Sequence, residues 1–435
     1  MERRGGLVRV VDLLGRVVDI RTQEISVGLG SFITFALVLG GYYLIRPIRE
    51  NIGAEANAGQ RQLWFLLVFA VMLAAVPLFG WIVARLRRSL IVPGLYILFA
   101  AVMMVFWLAL GGGGSQWLRA SFFVFASVFN LFVVSLFWIL MSDIYESGQA
   151  KRLYGFVAAG GTTGAVLGPL AADWLAPMLG GWNLILVAAI VLLVAAALSF
   201  GLRHAAAGVY GENIDTPPGF RTVMSGAESV IRDPYLLRIA FYVLMANFLS
   251  TFFYLEQVRL AGETIQEATA RVQFFAQRDL ITSIFTVVVQ LLLTGRITTR
   301  LGLGVAASAL PAVTTAGVII YAAVPELQVV AAIMVVERVT AFALSNPALK
   351  VLYTAVDVDE RYKAQSFIDT VVYRAGDALS GAVFNGLAKS MGAVILVSVP
   401  VAGLWFAVAT GFDRMLKARI AECADRTSDN GDSGG

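Results

Sequence analysis

Asp369, Arg374 and Asp377 stand within the run ERYKAQSFIDTVVYRAGDALSG, from Glu360 to Gly381, whose later part is otherwise apolar. A charged group at the centre of a bilayer costs about 2.5–3.5 kcal/mol on insertion scales, so such residues face a bundle interior or a watery cavity and mark a path for solute or protons. Arg374 and Asp377 are three apart, share a helix face and can pair. Asp369 points elsewhere and is expected to find Arg338 or Arg278. Glu337 and Arg338 lie deep in another apolar run. Adjacent residues on a helix point about 100° apart, so these two serve different neighbours, and their depth argues against snorkelling to the interface.

Further charged groups flank other apolar runs. In YYLIRPIREN, from Tyr42, Arg46 and Glu50 are spaced to pair, and Arg49 falls near Arg46. Two readings stand: arginines reaching outer headgroups beyond a Pro47 bend, or a positive patch that grips carboxylate or phosphate through planar donors. Arg278 is expected to point into a cavity with Asp279 locking it. Asp143 closes an apolar run just before Lys151 and Arg152 and suits that basic loop as partner. Glu256 ends another run, either as an exposed loop carboxylate or as a gate. The candidate solute-binding cations are therefore Arg46, Arg49, Arg278, Arg338 and Arg374. The candidate gating or coupling groups are Glu50, Asp143, Glu256, Glu337, Asp369 and Asp377, with static interhelical ion pairs as the plainer alternative.

These residues need elements to hold them. Hydrophobic residues make up 58% of the 435 and charged ones only 14%, and the mean hydropathy is +0.78, which fits a polytopic membrane protein. Twelve runs approach the length of about 20 residues that a spanning helix needs: 25–45, 62–84, 90–110, 120–142, 153–172, 182–202, 239–255, 272–295, 301–324, 327–353, 364–388 and 392–412. They are continuous rather than alternating, so the expected fold class is all-α, not an outer-membrane barrel. Lys and Arg concentrate before the first run and after each even-numbered one, which sets both termini in the cytoplasm. The expected organisation is a cytoplasmic segment 1–24, a six-helix half 25–202, a connector 203–235 with an amphipathic helix at 220–231, a second half 236–413 and a cytoplasmic tail 414–435 with a disordered end.

Residues 1–24 are charged throughout and do not resemble a cleavable signal peptide. One cysteine, Cys423, and one histidine, His204, exclude a disulfide framework and paired-histidine haem ligation and leave a zinc site without ligands. No metal cluster, triad or active cysteine is visible, so neither enzymatic activity nor a cofactor is expected. In GGTTGAVLGP, from Gly160, small residues at three- and four-residue spacing make a face for close helix packing. The glycines at 111–114 read as an external turn. GWIVARLRRS from Gly80 and GRITTRLGLG from Gly295 are weakly alike, as a duplicated six-span repeat would be.

Together YYLIRPIREN, FWILMSD from Phe137 with QAKRLYGFVAAGGTTGAVLGP from Gln149, and the run from Glu360 resemble the ATP/ADP translocase family, and most closely its uncharacterised branch in free-living bacteria. The resemblance covers nearly all the apolar region, in order. It implies a major-facilitator arrangement of twelve helices in two six-helix halves, with a central site that exchanges an anionic solute such as a nucleotide by alternating access, without ATP hydrolysis. Where that family's motif carries a lysine this chain has Asp377, with Arg374 one turn away. The expected partners are the solute and membrane lipid, with no nucleic acid. The chain is expected to act as a monomer in a bacterial inner membrane. A proton-coupled exporter or lipid flippase of the same fold, and a non-transporting scaffold or sensor, are the other readings.

Overall fold

A computed structural model describes residues 24–85, 88–111, 113–145, 147–210, 221–387 and 391–421. Residues 1–23 of the expected N-terminal segment, 211–220 of the connector and 422–435 of the tail, with Cys423, lie outside them. Apart from short turns the described chain is helical, because an apolar run in lipid must satisfy its backbone N–H and C=O groups internally.

In chain order the helices are α1 Ile25–Glu55, α2 Ala58–Arg85, α3 Arg88–Gly111, α4 Gln116–Ile144, α5 Ser147–Leu179, α6 Leu184–Tyr210, α7 Arg221–Arg232, α8 Pro234–Thr264, α9 Ala268–Val289, α10 Gly295–Leu301, α11 Leu303–Ala323, α12 Leu327–Thr340, α13 Asn346–Leu352, α14 Val358–Phe367, α15 Tyr373–Leu387 and α16 Met391–Thr410. Single π-helical turns, Gln290–Thr294, Ala341–Ser345 and Ile368–Val372, join α9 to α10, α12 to α13 and α14 to α15. Ten helical stretches among the described residues are long and apolar enough to cross a membrane. They match the first ten expected runs. The runs expected at 364–388 and 392–412 are also helical, over α14 to α15 and α16, but fall outside that set.

The chain divides into two compact units. The first comprises 1–53, 78–217 and 265–280, and the second 54–77, 218–264 and 281–435. Each unit thus includes a segment from the other half of the sequence. Within the first unit, α5 packs on α1 through its glycine face. A Cβ at Gly160 or Gly164 would collide with the backbone of Phe32 or Ala36, and one at Gly168 would come within 2.7 Å of Tyr43 Cβ. Phe35 stacks on Phe137 with ring centroids 4.1 Å apart. Trp107 Nε1 donates to Asn183 Oδ1 at 2.7 Å, joining the ends of α3 and α6. Gly113, with φ +84°, makes the turn before α4, and Ser115 caps that helix by accepting from the Leu118 N–H.

The core of the second unit includes Tyr242, Leu352, Ile368, Trp405 and Phe412 from five elements. Gly302 has φ +93°, and past it the N–H groups of Leu303 and Gly304 donate to the Asp413 carboxylate, each at 2.9 Å. An acid at a helix N-terminus is favoured by orphan donors and dipole alike. The amphipathic helix expected in the connector is α7. It packs against α14 and α8 and buries Val230 in the core, so its apolar face has a protein partner. Two π turns abut: Gln290 Nε2 donates to Phe342 O at 3.1 Å and Thr294 Oγ1 to Ala343 O at 2.7 Å.

Candidate functional site

The densest charged cluster in the first unit lies where α1 meets the start of α9. Glu50 is 1% exposed and lies 3.6 Å from Arg46, 3.5 Å from Arg49 and 3.9 Å from Arg278. Asp279, equally buried, is 2.8 Å from Arg278 and 3.3 Å from Arg46. Three guanidiniums thus converge on two carboxylates. Arg49 also donates to Ser127 Oγ at 2.9 Å and stands 4.1 Å over the Phe123 ring. Next to Glu50 in α1, Asn51 Oδ1 accepts from Arg271 Nε at 2.6 Å, while Arg271 Nη1 donates to the Ile265 and Gln266 carbonyls. Gln273 and Gln277 donate to Asp173 of α5.

This geometry revises the headgroup reading of Arg46 and Arg49, whose side chains are only 11% and 12% exposed. Arg278 and Asp279 are both buried and bond each other.

Asp143 meets Arg203 at 3.2 Å, and Arg152 reaches Glu24, with contacts of 2.9 and 3.3 Å. Beside them Tyr145 bonds Ser31 at 3.0 Å, and burial pushes its phenol up to about 12.

In the second unit Arg374 and Asp377 pair at 3.0 Å as their spacing requires, and Thr251 of α8 donates to Asp377 at 2.7 Å. Gly376, between them in sequence, lets α15 approach α8, since a Cβ there would lie 2.9 Å from both Asn247 Cβ and Leu244 O. Asp369 meets Lys350 at 2.9 Å rather than Arg338 or Arg278, and both side chains are about half exposed. Asp369 sits on the π turn Ile368–Val372. Glu256 lies inside α8, which continues to Thr264, and it is 4% exposed rather than a loop carboxylate. Arg259 pairs with it at 2.7 Å, and the Tyr321 hydroxyl donates to it. Arg338 is half-buried.

Glu337 of α12 is 2% exposed, and neither carboxylate oxygen has a hydrogen-bond partner among the described residues. The Thr314 hydroxyl of α11 is likewise buried and unpartnered.

Sequence reasoning missed Thr251, Ser127, Tyr321 and Lys350 as partners. Uncharged or distant in the chain, they carry no local signal that ties them to an acid or an arginine.

No curated protein matches the chain. Solved structures do. A bacterial homolog of the human lysosomal transporter Spinster, inward-facing and unoccupied, aligns with TM-score 0.56 at 15% identity, over 92% of this chain and 95% of that one. A bacterial homologue of the iron transporter ferroportin, also inward-facing, aligns with TM-score 0.63 at 13% identity, over 89% and 98%. A bacterial metal transporter aligns with TM-score 0.56 at 13% identity, over 90% and 99%. At these identities the likeness is one of fold. A family model described as Major Facilitator Superfamily matches residues 30–381, which is most of the chain and includes all eleven candidate site residues. The chain is thus a multi-pass membrane transporter that belongs to the Major Facilitator Superfamily.

Proposed function

We propose that this transporter works by alternating access, with twelve spans in two six-helix halves, and exchanges an anionic, phosphate-bearing solute of nucleotide type. We place both termini on the cytoplasmic side of a bacterial inner membrane and take the monomer as the working unit. The observation that carries the anionic reading is the buried cluster of Arg46, Arg49 and Arg278 on Glu50 and Asp279. The planar, paired donors of these three arginine forks match the oxygens of a solute phosphate. The translocase-like motifs support the nucleotide assignment, with Asp377 as their one departure.

The test is counterflow in liposomes that hold the purified protein and unlabelled nucleotide or sugar phosphate, with the labelled compound outside. Exchange is expected. Arg46→Lys keeps the charge but loses the fork and should slow exchange about 10- to 100-fold, the equivalent of one charge-assisted hydrogen bond of about 1.5–3 kcal/mol. Good uptake of a neutral or cationic solute, with none of any phosphate compound, would sink the anionic reading in favour of an exporter. Movement of labelled lipid alone would indicate a flippase, and movement of nothing at all a scaffold or sensor.

A further inference from the structure

We infer that Ser127 and Phe123 of α4 are positioning residues for Arg49, which they aim so that a solute phosphate meets the Nη edge of its fork. This role rests on the anionic reading above and adds to it the residues that set the donor in place. Ser127 is 5% and Phe123 1% exposed. Four apart on one helix, they share a face. Phe123 fixes the plane of the guanidinium, whose central carbon stands 4.1 Å from the ring centroid, well within cation–π range. Ser127 fixes the rotation within that plane, since its Oγ accepts from Arg49 Nε at 2.9 Å. The serine is itself held. Its hydroxyl donates to the Phe123 carbonyl at 2.9 Å, and with that hydrogen committed the oxygen meets Arg49 as an acceptor.

The other two arginines of the cluster turn Nε to an acid. Arg46 Nε is 3.6 Å from Glu50 and 3.3 Å from Asp279, and Arg278 Nε donates to Asp279 at 3.2 Å. Arg49 turns Nε to a neutral hydroxyl instead, and its Nη1 lies 3.5 Å from Glu50, longer than an ordinary hydrogen bond. Ser127 thus takes the Nε side of the fork, and the Nη1 side is turned to Glu50. A hydroxyl fixes the guanidinium without placing a further negative charge beside it, whereas a carboxylate at the same position would compete with an arriving anion. Two parallel N–H bonds to one phosphate require the fork to arrive in one orientation. A long side chain whose orientation is set beforehand loses less freedom on binding, which raises affinity. If Ser127 served packing alone, its loss would lower stability and leave solute affinity untouched.

The experiment has one arm without solute and one with it. In the first, the full-length protein with isotope-labelled arginine is held in lipid nanodiscs and its side-chain Nε–H signals are recorded by NMR, the Arg49 signal being the one lost in Arg49→Lys. Ser127→Ala should shift that signal and speed its exchange with water. Ser127→Thr, which keeps the hydroxyl, should restore it. In the second arm, counterflow of labelled ADP is followed against ADP concentration. Ser127→Ala should raise the half-saturating concentration about 10-fold, the lower end for a lost hydrogen bond to a charged group, with the maximal rate little changed. Ser127→Thr should stay close to wild type, and Phe123→Leu, which removes the ring but not the apolar bulk, should act in the same direction as Ser127→Ala. An Arg49 signal unchanged in Ser127→Ala would overturn the inference, as would a half-saturating concentration that is unchanged in Ser127→Ala or raised equally in Ser127→Thr. A signal that responds as expected, in a protein that exchanges neither ADP nor any other phosphate compound, would uphold the positioning of Arg49 and overturn the anionic reading.

Discussion

Asp377 accepts from Thr251 and pairs with Arg374 while only 8% exposed, so its charge is neutralised inside the second unit rather than offered to a solute. It stands where the translocase-like motif would carry a lysine. An ammonium there would face Arg374 and find no carboxylate in return. Asp377→Lys should therefore cost about 3–5 kcal/mol, the range for breaking a buried ion pair, and lower the thermal midpoint of the purified protein clearly. Asp377→Asn keeps an acceptor for Thr251 and Arg374 and should lose less. Lys350→Ala, which breaks the half-exposed pair with Asp369, should change stability by no more than about 1 kcal/mol. An Asp377→Lys protein as stable as wild type would mean that the acid is not structural and that the lysine of nucleotide exchangers fits this fold. Pairs of this local kind were legible in the sequence, because a spacing of three or four fixes the face. The partner of Asp369 was not, since Lys350 is brought near by packing rather than by helix register.

The glycine face of α5 is an element-scale feature that spacing alone announced. Gly160, Gly164 and Gly168 meet the backbone or Cβ atoms of α1 so closely that no side chain fits at these positions, which is how small residues bring helices together in lipid. Gly164→Leu should separate α1 from α5. The contact is with backbone rather than with a side chain that can swing away, so the cost is expected at or above the upper end of about 1–3 kcal/mol for overpacking. Gly155, on the same helix, is the control, because a Cβ there meets nothing within 4 Å. Size-exclusion profiles of the two leucine variants should show loss of the monodisperse peak for Gly164 only. The three π turns were not legible. QLLLT, Gln290 to Thr294, has the same apolar character as the regular helix before it, and its extra residue is stabilised by bonds from Gln290 and Thr294 to carbonyls about 50 residues away.

At the scale of the whole chain, composition and run length were enough to specify a helical membrane protein, and the first ten expected runs all fold as helices of spanning length. Contacts between distant segments were beyond reach. Residues 54–77 belong with the second unit and 265–280 with the first, a grouping that depends on long-range bonds such as Asn51–Arg271 and leaves no periodic trace. The same bonds bear on orientation. Arg61 and Arg271, which fall just before the second and eighth expected runs, are 6% and 7% exposed and engaged by the protein itself: Arg61 donates to the Ala56 carbonyl and Arg271 to Asn51. Arg232, in the connector expected to be cytoplasmic, remains exposed, so under the proposed orientation the charge bias is sharper than a residue count suggests. A phosphatase active only outside the cytoplasm, inserted at Gly113 in the turn between α3 and α4, should therefore be active. The same reporter fused after the last residue should be silent, and a cytoplasmic fluorescent reporter there should be bright. The inverse pattern would reverse the proposed orientation, and activity at both positions would mean an even number of crossings between Gly113 and the last residue, against the nine proposed.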